Sequence, residues 1–347
     1  MTTDDILTIL GPLAELYTDP EIANIMVDAP DTVYVIRTGH AMSPKIETEV
    51  TFGSIGELRQ VIDAMMALGG ISLDPNNTSG EVRLPDGSRV VAVIPPTAVS
   101  SPYLVIHKAD KASSDLTWER LLEIGTLSAE AHEILMKAIS LGVNMLLVGK
   151  TKNSGKDTIV NLMAESIPSE ERVIVVADAF KLPVEHPHRI HLEAGGPANL
   201  SVNELLDIAA KLGPDWLVID NMNGPEAMRA IQLVNEGYHL LTSLYADSPE
   251  DALTQLESMC LMANPSFGLD ELRRMIASAI GLISFQMNHA LPDYRIKLTQ
   301  MVEVQGVENG RYVLQPLFTY DDEEGVLHPT EAGKSWYKRT HNRLIQG

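Results

Sequence analysis

Residues 144–168, NMLLVGKTKNSGKDTIVNLMAESIP, carry residue types that bind phosphate. An apolar run leads into a loop, and the loop leads into a segment of helical character. A phosphate-binding loop reads G-x-x-x-x-G-K-[ST], with backbone N–H groups aimed at the anion from a helix N-terminus. Its lysine adds a point charge and its hydroxyl ligates Mg²⁺. Ser154, Gly155 and Lys156 are in place. Lys150 stands where the first glycine is expected, and Gly149 lies one position early. Asp157 stands where the hydroxyl is expected, and Thr158 carries a hydroxyl one place out of register. A carboxylate at 157 could ligate Mg²⁺, yet it would repel phosphate by about 4 kcal/mol at 4 Å and an intermediate dielectric.

A second candidate is DWLVIDN at 215–221. Four apolar residues ending in Asp220 have the form of a second nucleotide motif, whose acid approaches Mg²⁺. The plainer alternative is a buried strand that merely ends in an aspartate. If both motifs serve one site, its ligands are ATP or ADP with Mg²⁺, and Asp157 and Asp220 are the candidate metal ligands.

These residues need elements to hold them. Residues 172–178, 215–221 and 237–246 read as buried strands, like the one that feeds the loop, with helical stretches between. Apolar strands alternating with helices predict a largely parallel sheet in an α/β domain. Before them, 32–39 and 103–108 read as strands. Residues 54–70 read as a helix with a serine cap and terminal glycines, and 81–96 as a hairpin turning at Pro85-Asp86-Gly87. The expected division is a smaller N-terminal domain over 1–108, a linker over 109–116 and the α/β domain over 117–347.

The chain carries 47 Asp+Glu against 26 Lys+Arg, a net charge of −21. That balance argues against a broad basic face for nucleic acid, so no nucleic-acid partner is expected. A single cysteine, Cys260, leaves no intramolecular disulfide and suits a reducing compartment. The N-terminal residues lack a basic start, so they do not read as a secretory signal. No apolar run reaches the roughly 20 residues of a membrane span. Cytoplasmic location is expected, with any membrane link made through a partner. His186, His188 and His191 invite a metal reading, but a polar loop entering a strand accounts for them. Cys260 reads as core packing, the acidic run at 320–325 as a solvated loop, and the basic tail 334–347 as a solvated terminal helix.

Taken together, the segments resemble the secretion and pilus ATPase superfamily, the hexameric motors of type II and type IV secretion, and most of all the CpaF-type motor of tight-adherence pili. RLPDGSRVVAVIPP is similar to the family's N-terminal hairpin, and LLEIGTLSAEAHEILMKAISLGVNMLLVG to the approach to its phosphate loop. PDWLVIDNMNGPEAMRAIQLVNEGYHLLTSLYADSPEDALTQLESM is similar to the second nucleotide motif, the helix after it and the next strand. MIASAIGLI and TQMVEVQGVENGRYVLQPLFTYD resemble the C-terminal part. The resemblance implies a RecA-like P-loop motor domain with a smaller α+β N-terminal domain, and a nucleotide cleft between them. It further implies a ring oligomer formed with itself or an active paralogue, working against an inner-membrane pilus or secretion platform at the cytoplasmic face. It makes Ser154, Gly155, Lys156, Asp157, Thr158 and Asp178 nucleotide-site positions. Arg83 and Arg89 would be N-terminal arginines that reach the nucleotide, or else solvated hairpin residues.

The departures from that family fall on its chemistry. The family loop reads GGTGSGKTT, whereas GKTKNSGKDT has one extra residue and places Lys152 and Asn153 among lost glycines. A Glu-Asp pair after the second strand is reduced to Asp178. The catalytic glutamate of GE(V/L)RG becomes Asn221, an amide that cannot act as a general base. Asp220 replaces the neighbouring glycine and could compensate, although one step along a strand turns a side chain to the other face. The histidine of T-x-H-A becomes Tyr245, and His107-Lys108 stand where the family often has two arginines. The expectation is a motor fold with weak or absent hydrolysis. The alternatives are an active ATPase using Asp157 for Mg²⁺ and Asp220 for water, and a scaffold without nucleotide.

Overall fold

Ser54 starts a helix as its sequence position predicts: its hydroxyl accepts the Glu57 N–H at 3.2 Å. Leu58, Val61, Ile62, Met65 and Met66 then fall on one buried face, the spacing of an amphipathic helix. A computed structural model describes residues 3–37, 45–108, 116–151, 154–178, 182–194, 200–288, 296–321 and 323–346. The chain forms two compact units, Met1–Asp115 and Leu116–Gly347. Most of the expected linker, 109–115, lies outside the described residues, as do Lys152 and Asn153.

The first unit opens with helices α1 (Thr3–Leu10) and α2 (Ala14–Thr18). Strands β1 (Ile22–Ala29), β2 (Thr32–Arg37) and β3 (Ile46–Glu47) come next. Helix α3 (Ile55–Leu68) precedes β4 (Ser79–Arg83), β5 (Arg89–Val93) and β6 (Tyr103–His107). The strands pair antiparallel in the order β3-β2-β1-β6-β5-β4. Alternate residues of β5 and β6, namely Val90, Ala92, Leu104 and Ile106, are buried in one core with α1 and α3. The Asp86 carboxylate in the β4–β5 turn accepts the Ser88 N–H at 2.9 Å and the Tyr17 hydroxyl at 2.6 Å. The hairpin is thereby tied to α2.

The second unit contains α4 (Trp118–Glu123), α5 (Ala129–Ser140), β7 (Met145–Gly149), α6 (Lys156–Glu165), β8 (Val173–Ala177) and β9 (Arg189–Glu193). Next come α7 (Val202–Lys211), β10 (Trp216–Ile219), α8 (Glu226–Asn235), β11 (His239–Tyr245), α9 (Pro249–Ala263) and α10 (Leu269–Ala279). It ends with β12 (Leu282–Asn288), β13 (Ile296–Glu308), β14 (Arg311–Asp321), β15 (Val326–Pro329) and α11 (Glu331–Gln346). The strand order is β15-β14-β13-β12-β7-β11-β10-β8-β9. From β9 to β12 every pairing is parallel, and from β12 to β15 every pairing is antiparallel. The parallel part matches the strand–helix alternation of the sequence, and the antiparallel extension was not foreseen by it.

The central strands are apolar throughout because both faces are covered. Leu146, Val148, Leu217 and Ile219 pack toward α7–α10. Met145, Leu147, Trp216 and Val218 pack toward α4–α6 on the opposite side. The terminal segment is helical, as expected, but not wholly solvated. Trp336 of α11 is buried, and Arg339 binds the buried Glu303 carboxylate at 3.1 Å. The acidic run is a tight turn in which Asp321 accepts the N–H groups of Glu323 and Glu324.

Candidate functional site

The loop after β7 emerges at the carboxyl end of a central parallel strand, where open α/β sheets bind ligands. Gly149 pairs with Tyr245 of β11 on one side and Gln286 of β12 on the other. The Lys150 N–H donates to the Gln286 carbonyl at 2.9 Å. Gly155, at φ +78°, ends the loop and begins α6. A Cβ there would lie 2.7 Å from the Ile296 side chain as well as on left-handed backbone. A Cβ on Gly149 would lie 2.1 Å from the Ser154 hydroxyl and 3.2 Å from Ser154 Cβ. Ser154 is fully buried, and its Oγ has no hydrogen-bond partner among the described residues.

Lys156 turns inward and is only 1% exposed. A buried ammonium needs its charge matched and its donors used. The Asp157 carboxylate pairs with it. The Ser243 hydroxyl oxygen accepts from Lys156 Nζ at 3.2 Å. The Tyr245 ring lies beneath the ammonium, with Nζ 4.4 Å from its centroid, within reach of a cation–π attraction. Thr158 lies in the first turn of α6, half-buried.

Side-chain alternation settles the face of Asp220. Trp216 and Val218 point toward the α6 side, and Asp220 continues their parity. Ser243 and Tyr245 share parity with Leu241, which packs on that same side. The Tyr245 phenol is held well above its usual range, first by burial and then by the charges of Asp157 and Asp220. Both carboxylates therefore act on one locus beside Lys156. Asn221 leaves the strand at φ +43°. Its N–H donates to the Ser243 hydroxyl at 3.2 Å, and its buried Oδ1 has no hydrogen-bond partner among the described residues.

Asp178 comes directly after β8, exposed, with β11 and β10 between it and the loop strand. Arg83 and Arg89 are cross-strand neighbours on β4 and β5 of the first unit, and Arg89 pairs with Glu81 at 3.2 Å. His186 is buried. Its Nδ1 accepts the His188 N–H at 3.2 Å, so the proton sits on Nε2, 3.1 Å from the Ile167 carbonyl. Among the described residues no cluster of His, Cys, Asp or Glu is arranged to hold a metal.

Two participants were missed from sequence. Ser243 is the hub for both Lys156 and Asn221. Its signal was a polar pair, Thr242-Ser243, inside a buried strand. Glu226 is also buried, and its Oε1 accepts the N–H groups of Asn223 and Gly224 at 2.8 and 2.9 Å. It fastens the loop after Asn221.

This arrangement tests the implied Mg²⁺–nucleotide directly. The helix N-terminus, Gly155 and the orphaned Ser154 hydroxyl are features of a phosphate cradle. The lysine at the start of α6 is already bound to a carboxylate from the same turn, where a phosphate would meet a like charge. Asn221 contributes an amide beside Ser243, and an amide cannot take a proton from water. With Lys156 held by Asp157, the residues as disposed do not fit a Mg²⁺–nucleotide.

The comparisons agree with this architecture. The family model described as "Type II/IV secretion system protein" matches residues 8–306. A putative conjugal transfer protein of Mycobacterium tuberculosis is 24% identical over 291 residues, covering 80% of each chain. The type IV secretion system protein VirB11 of Bartonella henselae is 24% identical over 320 residues, covering 80% of this chain and 88% of its own. The crystal structure of the pilus retraction motor PilT with bound ADP superposes with a TM-score of 0.57 at 15% identity, covering 96% of this chain and 86% of its own. That likeness is one of fold: a RecA-like α/β unit with a smaller α+β unit before it. Among the described residues no helix is long and apolar enough to cross a membrane. With most of its length matched by the family model, the chain belongs to the type II/IV secretion system protein family.

Proposed function

We propose that this chain is a hydrolysis-impaired member of its family, a pseudo-ATPase that serves as an assembly or regulatory subunit of a pilus or secretion machine. The observation that carries the reading is the state of Lys156. It is buried, paired with Asp157 and bound to Ser243, beside an Asn221 that cannot activate water. The relatives are a conjugal transfer protein, a type IV secretion protein and a pilus motor by name. A CpaF-like role in a tight-adherence pilus is the finer form of the proposal. The partners it implies are further copies of the chain or an active paralogue in a ring, and an inner-membrane platform protein approached from the cytoplasmic side. The site positions it assigns are Ser154, Gly155, Lys156, Asp157, Thr158 and Asp178, with Arg83 and Arg89 from the first unit.

One observation favours a second reading. Asp220 shares the face of α6 and acts on the same tyrosine as Asp157, so the pair could replace the family's metal and water ligands in an active ATPase. Mg²⁺-dependent phosphate release separates the two. The proposal expects turnover at least ~100-fold below that of an intact family motor, from the loss of a general base, and little change in Lys156→Ala. Robust turnover that Lys156→Ala abolishes gives the second reading.

A further inference from the structure

We propose that Asp157 is a built-in anion that occupies the place of a phosphate on Lys156, so that this one carboxylate decides whether the loop accepts a nucleoside triphosphate. The inference rests on the reading of this loop as a family nucleotide loop that no longer supports turnover, and it adds the residue that closes it.

A phosphate in such a loop meets two partners, the lysine and the positive end of the helix dipole. Asp157 meets both. It pairs with Lys156 and sits in the first turn of α6. Lys156 is 1% exposed, so its charge is matched from inside the protein and not by water. Ser243 Oγ at 3.2 Å and the Tyr245 ring at 4.4 Å take its remaining directions. An incoming triphosphate would have to displace the carboxylate and then lie against its freed charge. Asp157 is half-buried, with 36% of its side chain exposed, so the exchange takes place at the mouth of the loop and needs no unfolding. An amide at 157 keeps the size and an acceptor oxygen but removes the charge.

The test is titration of the full chain with a fluorescent ATP analogue, with and without Mg²⁺, comparing the unmodified protein, Asp157→Asn, Asp157→Ser and Lys156→Ala/Asp157→Asn. Thermal melting is measured alongside. The expected result is at least tenfold tighter binding in Asp157→Asn, present without Mg²⁺, and an upward shift of its melting temperature on adding ATP. The double variant should lose that gain. Asp157→Ser should show the gain as well, and it is the decisive variant if Asp157→Asn melts far below the unmodified protein. Equal or weaker binding in the folded variants overturns the inference, as does a gain that survives loss of Lys156. Turnover of the unmodified protein tests the hydrolysis reading separately: an inert protein whose Asp157 variants bind no tighter sinks this inference alone.

Discussion

The Lys156 ammonium lies over the ring of Tyr245, 4.4 Å from its centroid. At that distance the aromatic face attracts a fixed cation, so Tyr245 helps to hold the buried charge in place.

Removing that face should cost stability. Tyr245→Leu is expected to lower the free energy of unfolding by about 2 kcal/mol, from the lost cation–π contact and the incompletely filled space. Tyr245→Phe keeps the ring and removes only the phenol hydroxyl, so it should stay within about 0.5 kcal/mol of the unmodified protein. Urea denaturation of both variants checks the contrast. Equal losses would show that the ring face contributes nothing to holding Lys156.

Backbone geometry at Asn221 gives a second test. Its φ of +43° is one that asparagine and glycine adopt readily and other residues do not. Asn221→Gly should be tolerated, whereas Asn221→Glu should cost about 1 kcal/mol of strain. Asn221→Glu is therefore expected to lower the melting temperature and leave phosphate release unchanged, because Asp157 still holds Lys156. Scanning calorimetry and a phosphate-release assay read the two effects. A glutamate variant as stable as the glycine variant would refute the strain argument.

Cys260 supplies a pH-dependent prediction. Burial, and after it the nearby Glu257 charge, pushes its thiol from 9.0 up to about 12. Cys260 is fully buried, so at pH 8 its alkylation in the folded protein should be far slower than in the urea-unfolded protein. The folded state binds the proton more tightly than the unfolded state. This contribution to stability is therefore complete below about pH 9 and is lost as the pH rises toward 12. Rapid native-state alkylation at pH 8 would contradict the buried placement.

Much of the architecture was readable because its signals are local. Ser54 and the apolar spacing after it announce α3, and Pro85-Asp86-Gly87 announces the β4–β5 turn. The apolar runs of β7, β8 and β10 announce buried parallel strands. The antiparallel β12–β15 region was not readable in the same way, because long strands such as β13 mix buried Leu298, Met301 and Val302 with exposed Gln300 and Gln305. In the site, Gly155, Lys156 and Asp157 were visible as a damaged motif, but the Lys156–Asp157 pair was not. Successive residues on a helix project about 100° apart and do not normally face one another. Here the pairing arises because both stand at the first turn, with Lys156 folded inward against Ser243 and the Tyr245 ring. Trp336 and Arg339 likewise bury one face of a tail whose basic composition suggested solvent.

The two surviving loop glycines can be explained without any nucleotide. At 149 another residue's Cβ would run into Ser154, and at 155 it would meet Ile296 on backbone that disfavours it. Selection for folding alone would keep both, whatever ligand the loop meets. A mutational scan of abundance, blind to catalysis, should therefore return glycine at both positions. Asp157 is constrained differently, by the charge of the buried Lys156 and not by space, so the same scan should favour a carboxylate there.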